Sequence, residues 1–482
     1  MRKLFLALIV LVLLLAGFIL FNTFRVKPWP SMKAALLDPL PDSALSHMSE
    51  AIRIPTISPE GHQIDSVPFV AYRSFLQKAY PLLHQHLTRA ILENYSYAYT
   101  WKGTDTTLSP IILVAHYDVV PVEASALKLW IAQPFGGEIR DSAIWGRGAV
   151  DDKASMISIL EATESLLQQG FIPRRTVLLC FGHNEESSGS GAKAIVARLE
   201  QQHVRADLVI DEGGEITTNR FKDVKRPIAM IGVGEKGYVT FELSVEKPGG
   251  HSSKPDSETA IDILAAGLVR LRSVQTPRRI TPPIRTLLLR ISGSSEDLVN
   301  KITVNNLWLF EGRVKSQLAT EPDSRAMIST TIVPTILESG VRENVIPSTA
   351  KAIVNSRILP GDTYQEVEAF VKQAVGDDRV KIRIAGDFAT NPSSTTDEDG
   401  VAFKKVERAT SAVMDDLIPT PFIMLGATDS RSYRSISNGV INFCPLTDSK
   451  GFHGINERVP IKDLQRAITF YKILIKDGQS VR

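Results

Sequence analysis

Five short acidic and histidine motifs run along this chain between His116 and His453. They are Ala115-His116-Tyr117-Asp118, Gly146-Arg147-Gly148-Ala149-Val150-Asp151-Asp152-Lys153, Asn184-Glu185-Glu186, Ile210-Asp211-Glu212-Gly213-Gly214 and Phe452-His453-Gly454. Imidazole nitrogen and carboxylate oxygen are what a pair of Zn²⁺-like ions needs, with one carboxylate bridging ions about 3.5–4 Å apart. Asp151 is assigned as the bridge. His116 and Asp211 then complete one metal site, and Glu186 and His453 the other. Glu185, adjacent to a ligand but itself free of metal, is the general base for a water whose pKa the ions lower. Asp118, two residues beyond His116 in an extended segment, would hold the second ring nitrogen of that ligand and fix its tautomer. The cofactor expected is therefore Zn²⁺, two per subunit, with Co²⁺ or Mn²⁺ as substitutes.

Taken singly, such acidic pairs are most often solvated surface groups. Their setting argues otherwise. The stretches 110–115, 175–181 and 206–210 are short apolar runs of the kind that form buried parallel strands. Three of the motifs fall just past their carboxyl ends, where open α/β sheets place their ligands.

With these residues in that order, the chain from about residue 45 onward resembles the M20, carboxypeptidase G2-like metallopeptidases. Within that family, the segments 426–431, 305–310 and 352–361 look like the Gly-X carboxypeptidase and N-fatty-acyl-amino-acid hydrolase branch. The resemblance implies further roles. His251, in the turn-rich segment Lys247-Pro248-Gly249-Gly250-His251-Ser252-Ser253, matches a histidine that reaches the metal centre, sometimes from a partner subunit, and steadies the oxyanion. Arg357 matches an arginine that grips the substrate carboxylate through two parallel hydrogen bonds. Asn344 would contact substrate beside it. The loop at Gly426 would approach the carboxylate with backbone N–H groups, although Ala427 stands where the family more often has a second glycine. A cis peptide after the bridging aspartate is also implied.

Composition sets the frame. The 482 residues suffice for two or three domains, and 55 Lys+Arg against 53 Asp+Glu gives a net charge of +2 with no nucleic-acid footprint. Cys180 and Cys444, the only cysteines, read as small buried hydrophobes. Leu4 to Phe21 is an apolar or small-residue run of 18 positions behind Arg2 and Lys3, long enough to span a bilayer. It exceeds the usual apolar region of a cleaved leader and lacks a clean cleavage site. A single-pass signal anchor with an extracytoplasmic catalytic part is expected, the alternative being secretion after cleavage.

Five regions follow. Residues 1–25 are the anchor, and residues 26–42, with Pro28, Pro30, Pro39 and Pro41, a stalk leading away from the membrane. Residues 43–235 alternate strand and helix patterns, the first part of a doubly wound α/β catalytic domain with a mixed sheet. Residues 236–386 change to period-two strands: a strand from Tyr238, helices near 258–274 and 363–375, and strands near 343–347, 350–359 and 380–384. That β-α-β-β-α-β order predicts an inserted ferredoxin-like α+β lid, with an insertion at about 275–340. Residues 387–482 return to the catalytic layer and deliver His453.

The reading is a di-zinc hydrolase that cleaves an amide bond beside a free carboxylate, foremost as a Gly-X carboxypeptidase or dipeptidase acting on short peptides. The alternative is an N-acyl amino acid amidohydrolase/synthase. A catalytically silent, membrane-anchored peptide-binding protein is the rival of another class. Expected partners are the small-molecule substrate, the membrane through the N-terminal helix, and a second copy through the lid.

Overall fold

The structure, a computed structural model, describes residues 1–59, 61 and 63–477, so the last five residues of the expected 387–482 region lie outside it. Among the described residues nine strands form a mixed sheet. Its order is Thr88–Leu92, Ser96–Trp101, Val177–Gly182, Ile111–His116, Leu208–Asp211, Val440–Asn442, Ile228–Glu235 and Ile418–Met424, with Ile216–Thr217 beside Ile228–Glu235. The two outer strands at the Thr88 end pair antiparallel, and the next four are mutually parallel. Every residue of Ile111–His116 and Val177–Gly182 is buried. Alternation explains it: Ile111, Leu113 and Ala115 join a cluster with Met156 and Leu160 of helix Lys153–Gln168, while Ile112 and Val114 join Ile195 and Leu199 of helix Ser190–Gln201. A strand covered on both faces must read as a continuous apolar run.

Strand Ile228–Glu235 passes through Lys236 straight into Gly237–Glu246, which belongs to a second, antiparallel sheet. Its order is Thr331–Ser339, Thr349–Ile358, Gly237–Glu246, Lys381–Thr390. Helices Ala260–Ser273 and Tyr364–Val375 cover one face around Phe241, Leu243, Val354 and Val371. Each helix opens with a capping box, Thr259 with Asp262 and Thr363 with Glu366. The outgoing and returning chains meet at Gly237, where a Cβ would lie 2.6 Å from the Thr390 carbonyl oxygen. One strand differs from expectation. The edge of this sheet is Thr331–Ser339, while Val345–Ile346 pairs only with Gly250–His251. Pro334 masks that strand in the sequence: it sits at a register shift on the edge, where a missing N–H costs the ladder nothing.

The preceding segment is helical: Pro282–Ser292, Leu298–Asn305, Leu307–Leu318 and Pro322–Ile328. Ile284, Leu288, Leu307 and Val314 pack with Ile228, Met230, Phe422 and Met424 in one apolar cluster against the first sheet.

Helix Arg2–Arg25 is, among the described residues, the one helix long and apolar enough to cross a membrane. Residues 26–42 do not project as a stalk but lie along the body. Ala35 N donates to Ala412 O at 3.0 Å, Asp416 N to Met32 O at 3.0 Å and Gln465 Nε2 to Asp38 O at 2.9 Å. The Arg290 guanidinium stacks 4.4 Å over the Trp29 ring. A proline-rich segment leaves its carbonyls and remaining N–H groups free, and here the body takes them up.

Candidate active site

Strand ends and the loops after them bring the motifs together. His116 closes strand Ile111–His116 and is almost fully buried. Its Nε2 lies 3.0 Å from Asp151 Oδ1, and the other oxygen of that carboxylate, Oδ2, is 2.7 Å from His453 Nε2. Asp151 therefore faces one histidine with each oxygen, as a bridging carboxylate must. His453 Nε2 also lies 3.1 Å from Glu186 Oε2. The Asp151–Asp152 peptide is cis.

Asp118 ties two motifs. Its Oδ1 lies 3.3 Å from His116 Nδ1, and its carboxylate accepts the backbone N–H groups of Glu185 and Glu186, each at 3.1 Å. Burial works to raise its pKa, but its bonds to His116, Ser58 and Glu186 N hold it below the usual range.

The aspartate expected in the ligand set stands elsewhere. Asp211 Oδ2 is 2.9 Å from the Thr428 hydroxyl, whereas Glu212 Oε1 lies 3.1 Å from His116 Nε2. Ligand atoms of His116, Glu185 and Glu212 fall within 4.8 Å of one another, as do those of His116, Asp151 and Glu186. Asp211 is in neither group. The reason is geometric: Asp211 still belongs to strand Leu208–Asp211, while Glu212 is the first residue beyond it.

This is a strongly acidic pocket. Burial drives the pKa values of Glu185, Glu212, Asp152 and Asp429 well up, and neighbouring carboxylates, including Asp151, add to the effect. His453 is pushed up to about 10 by its bonds to Asp151 and Glu186. Such a surplus of buried negative charge around two imidazoles is what bound cations satisfy. The donor set, imidazole nitrogens and carboxylate oxygens without sulfur, suits divalent ions of the zinc, cobalt and manganese kind.

The sequence motifs did not include Glu457, although it holds the centre in register. Its fully buried carboxylate accepts from the backbone N–H groups of Gly148, Val150 and Asp151 at 2.9, 2.8 and 3.1 Å, and from Arg147 Nη1 at 2.7 Å. Arg147 Nη2 in turn donates to Gly454 O at 2.9 Å. One ion pair thus fastens the Asp151 loop to the His453 loop, where His453 itself has φ +52°. The only signal in the sequence was position, an acid four residues after the last histidine.

A cleft of about 590 Å³ opens on these groups. Asp151, Glu185, Glu186, Glu212 and His453 line it, together with Arg357 and Gly426. Part of its wall is apolar: Met230, Phe422, Met424, Leu425. Arg357 stacks with its guanidinium carbon 4.8 Å from the Tyr238 ring centroid and has no carboxylate partner among the described residues. A Cβ at Gly426 would meet no protein atom within 4 Å. The adjoining Thr428 is anchored by Glu235, which is fully buried and accepts its backbone N–H at 2.9 Å. His251 and Asn344 are not part of this cleft. They stand together, exposed, at the separate two-stranded pairing of Gly250–His251 with Val345–Ile346, with Ser252 N donating to Asn344 O at 3.2 Å.

The profile of Peptidase family M20/M25/M40 matches residues 112–477. Over 440 residues the chain is 36% identical to the human N-fatty-acyl-amino acid synthase/hydrolase, covering 89% of this chain and 86% of that protein. It is 37% identical over 421 residues to the probable carboxypeptidase S-like 2 of Dictyostelium discoideum, covering 85% and 80%. The M20 family metallo-carboxypeptidase of Sulfolobus solfataricus superimposes with a TM-score of 0.66 over 91% of this chain and 100% of its own, at 19% identity.

Proposed function

The chain belongs to peptidase family M20/M25/M40 and is a hydrolase, and from that premise we propose that it cleaves N-acyl amino acids, at the amide bond between an apolar acyl chain and an amino acid with a free carboxylate. The observation that carries this reading is the composition of the cleft, where the acidic centre, the unpaired Arg357 and the apolar wall of Met230, Phe422, Met424 and Leu425 occur in one cavity. A site limited to Gly-X dipeptides has less use for that wall. Likeness to the fatty-acyl relative supports the same choice.

We assign His116, Asp151 and Glu212 to one divalent ion, and Asp151, Glu186 and His453 to a second, zinc being the metal proposed. Glu212 replaces Asp211 in this assignment because its oxygen meets His116. When bound, such ions lower the pKa of a water and polarise the substrate carbonyl. Glu185 removes the proton from the attacking water and delivers it to the leaving amine. Asp118 fixes the ring of His116. Arg357 holds the carboxylate by its planar fork, and the Gly426 loop leaves room for it. The second sheet acts as a lid; His251 and Asn344, exposed at the separate pairing of Gly250–His251 with Val345–Ile346, serve the cleft of a partner subunit in a homodimer. The rival reading of a silent binding protein is disfavoured because both the base, Glu185, and the bridge, Asp151, line the cleft. Helix Arg2–Arg25 is the membrane anchor.

The test is hydrolysis by purified full-length protein supplied with Zn²⁺, Co²⁺ or Mn²⁺. N-oleoyl-phenylalanine should be turned over with a kcat/KM that exceeds that for N-acetyl-phenylalanine and for Gly-Leu. Preference for the dipeptide, with no gain from acyl length, would return the enzyme to the Gly-X class.

A further inference from the structure

The N-terminal helix does not leave the body freely. Its last turn is gripped by the junction of helices Leu298–Asn305 and Leu307–Leu318. Asn306 Nδ2 lies 3.2 Å from Ile19 O and 3.1 Å from Thr23 Oγ1, and Asn305 Nδ2 donates to Thr23 O at 3.0 Å. Asn22 and Thr23 are consequently buried, although the rest of that helix is exposed almost throughout. Phe18, still inside the apolar run, meets the ring of Trp308 at 5.7 Å between centroids. Beyond the helix, residues 26–42 are bonded along the body, so no slack separates span from enzyme.

This geometry fixes a level. Leu4 to Phe21 covers about 27 Å at 1.5 Å per residue, close to the hydrocarbon thickness of a bilayer. Phe18 lies about 5 Å along the axis inside the end of that run. A side chain that touches Phe18 from the body therefore stands at the boundary between hydrocarbon and headgroups. Trp308 is the residue type favoured there, an apolar ring with one N–H to turn to water. Trp308 is 55% exposed and its neighbour Leu309 45%, an apolar pair that the protein itself leaves uncovered. The next residue inward, Leu307, belongs to the apolar cluster that includes Met230, Phe422 and Met424 of the cleft wall.

We propose that the start of helix Leu307–Leu318 is a membrane seat: Trp308 and Leu309 enter the interfacial zone of the lipid bilayer beside the anchor, so that the catalytic body rests on the lipid surface and its acyl-binding wall is joined to that surface by one packed cluster. The inference rests on the reading of helix Arg2–Arg25 as a span. The occupant is a lipid bilayer, because the helix whose level sets the position of Trp308 is itself sized to one.

Full-length protein in dioleoylphosphatidylcholine vesicles, carrying a nitroxide at Leu309→Cys or Trp308→Cys, tests it through relaxation by oxygen against a nickel chelate. Cys180 and Cys444 are buried and do not compete for label. Leu11→Cys reports the span, and Val269→Cys, 70% exposed on a helix of the second sheet, reports water. The expected result is an oxygen-to-nickel ratio at residues 308 and 309 severalfold above that at 269 and below that at 11. A water-like ratio at 308 and 309 with a lipid-like ratio at 11 overturns the seat and leaves the anchor standing. A water-like ratio at 11 overturns the anchor, and the seat with it. Shielding of 308 and 309 from both relaxants means a second protein copy covers them, which also overturns the proposal.

Discussion

Glu212, and not the adjacent Asp211, presents its carboxylate to His116, with Oε1 and Nε2 3.1 Å apart. Asp211 instead faces Thr428 across the top of the sheet. The two acids should therefore behave differently when neutralised. Glu212→Gln is expected to retain one ion where the parent retains two, and to lose most activity. Asp211→Asn should keep both, with affinity lowered by no more than roughly 10–100-fold, the effect of disturbing a group behind the ligands. Metal content after dialysis, measured beside turnover, decides it; the opposite pattern would restore Asp211.

Glu185 shares the space between His116 and Glu212 but belongs to no ion in the assignment above. Glu185→Gln keeps the shape and removes the proton carrier. Two ions per subunit should remain while kcat falls on the order of 10²–10⁴. A variant of normal turnover would remove Glu185 from the mechanism.

The Arg147–Glu457 pair joins the loops that carry Asp151 and His453. Glu457→Ala strands a buried guanidinium and three backbone N–H groups, and breaking such a pair from one side costs about 3–5 kcal/mol. The thermal midpoint should drop, and the metal should be lost more readily because the bridge and the last histidine are no longer held together. An unchanged midpoint would show that the loops are fixed by other contacts.

The pattern of legibility follows from these particulars. Strands such as Ile111–His116 were readable because burial on both faces leaves a continuous apolar run. His116, Asp151, Glu185, Glu186 and His453 could be named from the sequence because metal chemistry restricts residue type; Asp151, Glu185, Glu186 and His453 line one cleft, and His116 is buried against Asp151 at 3.0 Å. The choice between Asp211 and Glu212 was not readable: it depends on which residue is the last to pair in its strand, and sequence marks element ends poorly. Glu457 escaped notice because its work is done on backbone N–H groups, which leave no residue-type signature. His251 and Asn344 came from the family likeness alone, and within one chain they stand outside the cleft.

Lys236 sits where the chain crosses between the two sheets. Its Nζ is buried and donates to Ser329 O at 2.8 Å and Ala326 O at 3.1 Å. Burial, with a smaller push from Arg357, brings its pKa down to about 7. An unfolded lysine titrates near 10.4, so between those values the unfolded chain binds more protons and stability rises with pH. Below pH 7 both forms are charged and this dependence disappears. Over the whole window the gain is up to ~5 kcal/mol. Lys236→Met removes the group, so the midpoint of wild type relative to the variant should climb from pH 7 to pH 9. Parallel curves would mean that Lys236 keeps its proton when folded.

Arg357 decides whether the enzyme reads a carboxylate or accepts amides in general. Its guanidinium lines the cleft, rests on Tyr238 and has no acidic partner among the described residues, so the grip it offers is free for substrate. Lysine keeps the charge but has neither the flat face for Tyr238 nor the two-point fork. Arg357→Lys should therefore already be damaging toward N-acyl amino acids, lowering kcat/KM by roughly 2–5 kcal/mol, the cost of truncating one side of a buried charge pair. The matching C-terminal amides offer no negative charge. The wild-type enzyme should be poor on them, and the substitution should change that rate little. Measuring both enzymes on both substrates separates recognition from structure: if the carboxylate and amide rates fall together, Arg357 supports the packing of the second sheet on Tyr238 and something else in the cleft reads the carboxylate.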